Sequence, residues 1–335
     1  MNRRDFFGVA GVALTGLNLV SCASDSNAVP ITELDNHTGP ITAFYEFRIA
    51  GPENQNLLSA IDALETSLSL MDGFLGLALK NVVGDSTMTK NYPDNLKGVL
   101  KSAYKDAFAA HKLPLFYSLF VRFSSVEAMN LANISDWFTS TIKPMLFVYK
   151  IQNGAPVKTP LPLDYYEGLF KTVAAGDRTA IYNTEADILN FLKSQQDNPA
   201  KNYVTVENHV TIRSEHTEEF NTRVEELLRI AQTTFRPAPD DADFNADLDP
   251  DGIGQTGLED NHFYRKAVTT EIMQSITAVG GTRNYVMHGV WETVMDHENS
   301  HIDMRFRQRS GPVGTYIIAG PVEPFYETRK LVNNV

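Results

Sequence analysis

The sequence has a single cysteine, Cys22, among its 335 residues. One cysteine cannot form an intramolecular disulfide or a thiolate-cluster metal site, so both kinds of site are excluded. No uninterrupted apolar stretch reaches the roughly 18 residues that a membrane-spanning helix needs. Positive charge is also scarce, since 29 Lys and Arg stand against 41 Asp and Glu, for a net charge of −12. Because phosphate contacts need clustered positive charge, this balance argues against nucleic acid as a partner.

The rest of the composition is that of a globular protein. Hydrophobic residues make up 43% of the chain and charged residues 21%. These fractions exclude disorder, collagen-like sequence and a coiled coil. The length is sufficient for two units of moderate size, each with a core of its own.

The N-terminus has the features of an export signal. The pair Arg3-Arg4 precedes an apolar run that ends in Leu-Val-Ser-Cys22, which is typical of a bacterial lipobox. We therefore predict a twin-arginine signal over residues 1–22 and a polar tether over residues 23–39. The mature protein is expected to be periplasmic and to be held at a membrane by lipidated Cys22. The alternative is an ordinary signal peptide with an incidental cysteine.

The remaining chain reads as one α+β unit used twice. The predicted order is β-α-β-β-α in residues 40–150 and again in residues 201–335, with a helical connector over residues 151–200. Two ferredoxin-like repeats of this kind can close their sheets into one barrel of the dimeric α+β type. Ser124 and Thr293 each open a capping-box sequence, which predicts a helix start. Predicted strands cover 44–49, 73–79, 115–123, 203–212 and 284–291, and predicted helices cover 56–70, 165–175, 185–193 and 217–231.

Two histidines four residues apart give the sharpest chemical signal. On a helix, His297 and His301 share one face and can offer two imidazole nitrogens to one metal ion. Val294 and Met304 extend the same stripe, which places the histidines on an inward-facing strip. A carboxylate from a later element usually completes such a site, and Glu323, set between two prolines, is the candidate. The alternatives are a pair of core histidines and a surface glutamate in a turn.

Three further residues near this motif are weaker candidates. The sequence from His297 to His301 is also H-E-x-x-H, the motif of zinc peptidases, in which Glu298 would be the general base. If the protein is not a peptidase, Glu298 is a base that lies outside the metal ligands or a solvated surface residue. His288, on the preceding predicted strand, is a candidate proton donor, and Tyr326 is a candidate for orienting a ligand.

The first copy does not repeat the histidine pair. Aligning the two predicted strand ends places Met129 opposite His297 and Asn133 opposite His301. We therefore expect one metal site, in the second copy, and a structural role for the first.

An acidic run suggests a second cation site. Asp247, Asp249 and Asp251 alternate before a glycine, as in the first half of a calcium-binding loop. Glu259 falls thirteenth from Asp247 instead of twelfth, so the match to an EF-hand is imperfect. The alternative is a solvated acidic insert.

Taken together, these motifs resemble the sulfur oxygenase reductase family. The resemblance lies in Asp-His-Glu-x-x-His ending at His301, in Gly-Pro-x-Glu-Pro-x-Tyr-Glu around Glu323, and in Gly-Phe-Leu-Gly at 73–76. It implies a tandem α+β barrel with a mononuclear non-haem iron on His297, His301 and Glu323. The chain departs from the family by holding the motif in its C-terminal copy and by having no cysteine after the signal.

We therefore expect a non-haem iron oxygenase or oxidoreductase. Its partners would be O₂ and a small substrate, which the resemblance suggests contains sulfur, and the chain is a candidate homo-oligomer. The alternatives are a zinc hydrolase of the H-E-x-x-H type and a metal-binding lipoprotein without catalysis.

Overall fold

The computed structural model describes residues 32–85, 115–194, 199–236, 238 and 263–334. The predicted signal, Cys22 and the candidate calcium ligands lie outside the described residues, and so export, lipidation and calcium binding stay predictions. Those ligands are Asp247, Asp249, Asp251 and Glu259. Among the described helices, none has the length and hydropathy needed to cross a membrane.

The first half of the chain forms a β-α-β-β-α-β repeat with a short leading strand and an inserted hairpin. Its elements are β1 (Thr32–Leu34), β2 (Ile41–Ile49), α1 (Asn54–Leu68), β3 (Phe74–Asp85), β4 (Leu115–Phe123), α2 (Val126–Ala132), α3 (Ile134–Trp137), β5 (Phe147–Gln152), β6 (Ala155–Pro162) and β7 (Tyr165–Asp177). Strands β5 and β6 pair only with each other, as an antiparallel hairpin.

The second half repeats the order β-α-β-β-α-β after a short connection. Its elements are β8 (Ile181–Tyr182), α4 (Glu185–Lys193), β9 (Val204–Arg213), α5 (Thr217–Thr233), β10 (Thr269–Val279), β11 (Thr282–Trp291), α6 (Val294–Ile302), α7 (Met304–Gly314), β12 (Ile317–Val322) and β13 (Pro324–Asn333). Short 3₁₀ or π turns cover Gly51–Glu53, Phe138–Ile142, Lys143–Met145, Pro199–Lys201 and Ser214–His216.

Eight of these strands close into one antiparallel barrel. The first repeat contributes β7-β2-β4-β3 and the second contributes β13-β9-β11-β10, each in spatial order. The two sheets join through β13 with β3 and through β10 with β7. Closure leaves neither four-stranded sheet with an exposed edge. The predicted α+β class, with two ferredoxin-like repeats closing a barrel, is confirmed.

Each barrel strand faces the helices on one side and the barrel interior on the other. In β9, Val206 and Val210 pack in the cores beneath the helices, whereas Glu207 and His209 are buried inside the barrel. Part of the interior is apolar and is filled by Phe44, Ala78, Phe120, Tyr166, Phe170, Met273 and Val286. Polar side chains therefore occupy a region that is as buried as either helix-facing core.

The connector prediction was wrong for one of its two helices. The helix at Glu185–Lys193 has the predicted bounds, but the stretch from Tyr165 to Ala175 lies within strand β7. The strand is buried from both sides, since Tyr166 and Phe170 face the interior and Leu169 packs in the helix-facing core. Apolar residues on both faces remove the strict alternation by which a strand is recognised. Strand β7 completes the first repeat, whose sheet therefore extends beyond residue 150.

One of the two predicted helix caps is confirmed, and the other is displaced by one residue. Thr293 caps α6 by accepting a hydrogen bond from the Asp296 backbone N–H, as predicted. The cap of α2 is Ser125, one residue later than the predicted Ser124, and it accepts from the Ala128 N–H at 3.1 Å. Helix α2 then ends at Asn133, which has a left-handed φ of 50°.

Gly320 lies where the chain crosses strand β9. Its φ is +96°, and a Cβ added there would lie 2.4 Å from the His209 carbonyl oxygen. We expect Gly320→Ala to lower the free energy of unfolding by roughly 1–3 kcal/mol, measured by urea denaturation. Gly154→Ala is the matched control, because its φ is +81° but nothing lies within 4 Å of the added Cβ. Equal losses of unfolding free energy in the two variants would show that the contact with the His209 carbonyl oxygen adds nothing to the cost of the positive φ.

Candidate metal centre

Helix α6 brings the two motif histidines together. The helix begins directly after the strand that ends at Trp291, and it presents His297 and His301 one turn apart. Their ring centroids are 4.2 Å apart. The edge of Trp291 packs on the His297 ring at 5.3 Å, and Phe306 stacks on the His301 ring at 4.2 Å. Aromatic rings therefore hold the orientations of both imidazoles.

The polar residues of the motif anchor α6 to the loop that precedes β10. Asp296 accepts a hydrogen bond from the Arg265 backbone N–H at 2.8 Å, and the Asn299 side chain donates to the Phe263 carbonyl at 2.7 Å. Asp303, at the end of the helix, accepts from a tyrosine hydroxyl of the same loop at 2.6 Å. These contacts fix the helix and with it the two histidines.

Glu323 completes a cluster of three potential ligands. One ligand atom each from His297, His301 and Glu323 lies within 4.8 Å of the others. His297 and Glu323 are buried, with 3% and 8% of their surface exposed, and His301 is half-buried. The structure thus brings together the three residues that the sequence singled out, although they belong to α6 and to the residue just before β13.

The electrostatics of the cluster suit a cation. Burial, with a smaller contribution from the neighbouring His301, lowers the pKa of His297 well below its usual range, and burial lowers the pKa of His301 to about 3. Both rings are therefore neutral near pH 7 and keep a lone pair for a metal. The buried Nδ1 of His297 has no hydrogen-bond partner among the described residues. Two neutral imidazoles and a carboxylate fit a divalent transition metal ion.

Asn208 was missed by the sequence analysis. It lies on β9, on the helix-facing side between inward-facing Glu207 and His209, and its side-chain amide donates a hydrogen bond to Glu323 Oε1. No local motif marks it, because the pairing joins residues 115 positions apart. Asn208 positions the carboxylate, as residues around metal ligands commonly do.

Asn208→Ala should weaken metal binding without abolishing it. Losing an outer hydrogen bond to a ligand typically lowers metal affinity by about 10–100-fold. We would measure this in a Co²⁺ titration of apoprotein, with Asn284→Ala, an asparagine on neighbouring β11, as the matched control. An unchanged affinity in Asn208→Ala would show that Glu323 is held without this hydrogen bond.

The structure does not bring His288 and Tyr326 to the histidine pair. His288 hydrogen-bonds to Lys80 inside the barrel, and the Tyr326 hydroxyl donates to Glu46 at 2.6 Å, also inside. Phe325, which precedes Tyr326 on β13, packs against the His297 ring in a T-shaped contact. Strand alternation points both side chains into the interior, away from the metal ligands, and their roles stay predictions. Glu298 is half-buried on α6.

Comparisons with known proteins agree with this architecture. A model described as an ABM-like domain matches residues 40–128, and one described as the CT0912-like, C-terminal domain matches residues 173–329. A solved anthrone oxidase-like protein is 9% identical, with a TM-score of 0.51, and the match covers 91% of this chain and 97% of that one. The fold is an α+β barrel of the dimeric type, closed here by two repeats of one chain.

Other solved structures match less closely. A protein of Fusobacterium nucleatum subsp. nucleatum ATCC 25586, described as a candidate monooxygenase, is 11% identical with a TM-score of 0.47. That match covers 88% of this chain and 94% of the other. No curated protein matches the chain. In this barrel one chain supplies both repeats.

Proposed function

We propose that this protein is a metal-dependent oxygenase. In this proposal His297, His301 and Glu323 hold one iron ion, and the substrate is a small molecule oxidised with O₂. The observation that carries the proposal is the buried cluster of two neutral imidazoles and one carboxylate, with one ligand atom from each within 4.8 Å of the others. A two-histidine, one-carboxylate set leaves coordination positions open for O₂ and substrate, which is the chemistry that non-haem iron supplies.

The chain's own residues would prepare the site in three ways. Asn208 donates a hydrogen bond to one oxygen of Glu323 and so fixes the orientation of the carboxylate. The hydrogen bonds that anchor helix α6 hold the two imidazoles in place. The rings of Trp291 and Phe325 cover His297, and they exclude water from that side. An apolar surround of this kind favours a small, largely apolar substrate.

The comparisons support an oxygenase more than a hydrolase. The ABM-like model and the anthrone oxidase-like structure agree with the barrel fold and with oxidative chemistry of small molecules. The finer likeness to sulfur oxygenase reductase, with a sulfur-containing substrate, stays part of the proposal. A lipid anchor at Cys22 and a homo-oligomer are proposals on the same footing.

Metal analysis of protein purified without added metals or chelators is the test. We expect iron that is lost in His297→Ala, together with O₂ uptake on one member of a panel of reduced sulfur compounds and small apolar aromatics. Zinc in its place, with hydrolytic activity that disappears in Glu298→Gln, would contradict the proposal and favour the H-E-x-x-H hydrolase. Metal that survives unchanged in His297→Ala and Glu323→Ala would show that the ligands are wrong.

A further inference from the structure

A second group of potential ligands lies inside the barrel, on the other face of the sheet. It consists of Glu46 from β2 and of Glu207 and His209 from β9. Their exposed fractions are 2%, 0% and 7%, so all three are buried. One ligand atom from each lies within 4.8 Å of the others. We call these three residues the interior cluster.

The interior cluster spans the barrel from one repeat to the other. Strands β2 and β9 are the first strands of their repeats. In the eight-stranded ring, three strands separate them in each direction. They are therefore opposite strands, and Glu46 meets His209 across the interior. The two atoms that meet, His209 Nε2 and Glu46 Oε1, are 3.0 Å apart. Adjacent ligands bound at 2.0–2.2 Å to one ion lie about 3.0–3.5 Å apart, so this separation suits a shared ion.

One carboxylate oxygen of the interior cluster is unpaired. Glu207 Oε1 accepts a hydrogen bond from Ser118 at 2.8 Å and lies 3.9 Å from the Lys80 ammonium. Glu207 Oε2 is buried and has no hydrogen-bond partner within the described parts of the chain. An unsatisfied buried polar atom is costly, and a bound cation would remove that cost.

Charged side chains from several strands surround the interior cluster. Arg122 forms a bidentate ion pair with Glu271, which neutralises the charge of that carboxylate. Glu207 lies 3.9 Å from the Lys80 ammonium, and Glu46 lies 3.0 Å from the His209 ring nitrogen. Tyr326 supports Glu46 by donating a hydrogen bond to Oε1 at 2.6 Å. Two carboxylates with one imidazole favour a first-row divalent ion over Ca²⁺ or Mg²⁺, which take oxygen ligands only.

We propose that Glu46, Glu207 and His209 form a second divalent-metal site that ties the two repeats together across the barrel. The ion would join the first strand of one repeat to the first strand of the other. Because it binds only the closed barrel, it would raise the unfolding temperature as its concentration rises. This site is separate from the cluster of His297, His301 and Glu323, and it does not depend on the proposed oxygenase activity.

The test is a Co²⁺ titration of chelator-treated, full-length protein, read by equilibrium dialysis and by thermal unfolding. We expect two equivalents in the wild type, one in Glu207→Gln and one in His301→Ala. The Co²⁺-dependent rise in unfolding temperature should persist in His301→Ala and disappear in Glu207→Gln. Thr205→Val, an isosteric change on the same face of β9, is the matched control and should keep both equivalents. Circular dichroism of each variant without metal checks that it is folded.

The two metal sites can fail separately in this experiment. A wild type that binds one equivalent, lost in His301→Ala and kept in Glu207→Gln, would overturn the interior site and leave the oxygenase proposal standing. One equivalent that is kept in His301→Ala and lost in Glu207→Gln would support the interior site and contradict the α6 site. No binding, or two equivalents that are unchanged in Glu207→Gln, would overturn the interior site.

Discussion

His301→Ala should lose the iron at α6 and, with it, O₂ uptake. The imidazole is one of the three proposed ligands, and the alanine side chain has no donor atom to replace it. Removing a residue that merely supports a ligand costs about 10–100-fold in affinity, so removing the ligand itself should cost roughly 100-fold or more. Iron content after dialysis, measured by mass spectrometry, should fall by one equivalent, and O₂ uptake should fall below detection at an oxygen electrode.

A matched histidine control separates the site from a general effect. His216 is 42% exposed at the start of α5, and His216→Ala should keep both the iron and the activity. The half-buried His301 ring also packs on Phe306, so the unfolding temperature of His301→Ala must be measured beside its metal content. A folded His301→Ala protein that retains its iron would exclude the proposed ligand set.

Arg122→Met should produce the largest loss of stability that the barrel interior offers. Arg122 donates two hydrogen bonds to Glu271, at 2.8 and 2.7 Å, and both side chains are almost fully buried. Breaking a buried pair leaves an uncompensated charge and typically costs about 3–5 kcal/mol. We expect a loss of this size in the free energy of unfolding, measured by urea denaturation at pH 7.

Two controls distinguish the buried charge from lost packing. Arg48→Met breaks a pair whose members are 30% and 66% exposed, and it should cost less than about 1 kcal/mol. The double variant Arg122→Met with Glu271→Leu should recover much of the loss, because no unpaired charge remains. A double variant that is no more stable than Arg122→Met would show that packing, and not charge, accounts for the effect.

The pH dependence of the Arg122→Met effect has a defined sign. Burial alone would raise the pKa of Glu271, but the charge and hydrogen bonds of Arg122 lower it below its ordinary value of 4.5. A lowered pKa contributes stability above 4.5 that is lost as pH falls towards the folded value. Without Arg122, burial raises the pKa of Glu271 instead. The stability difference between wild type and variant should therefore shrink as pH falls from the raised pKa of Glu271 in the variant, and should continue to shrink below 4.5.

Local patterns in the sequence were sufficient for most single elements. Strand β4 and helix α4 have their predicted bounds, because each is a short apolar pattern between clear end signals. The cap at Thr293 and the spacing of His297 and His301 were also correct as geometry, since both depend on residues within one or two turns. Strand β7 was missed because its two buried faces hide the alternation.

The sequence by itself determined the α+β class, the two repeats and the pairing of His297 with His301, because periodicity, capping and helix spacing are encoded within a few residues. Only the tertiary structure decided that Asn208 meets Glu323, that His288 and Tyr326 point away from the metal centre, and that Glu46 meets His209 across 163 positions of chain. The last pairing exists because eight strands from both repeats close a ring, and no local pattern records which strands become opposite neighbours.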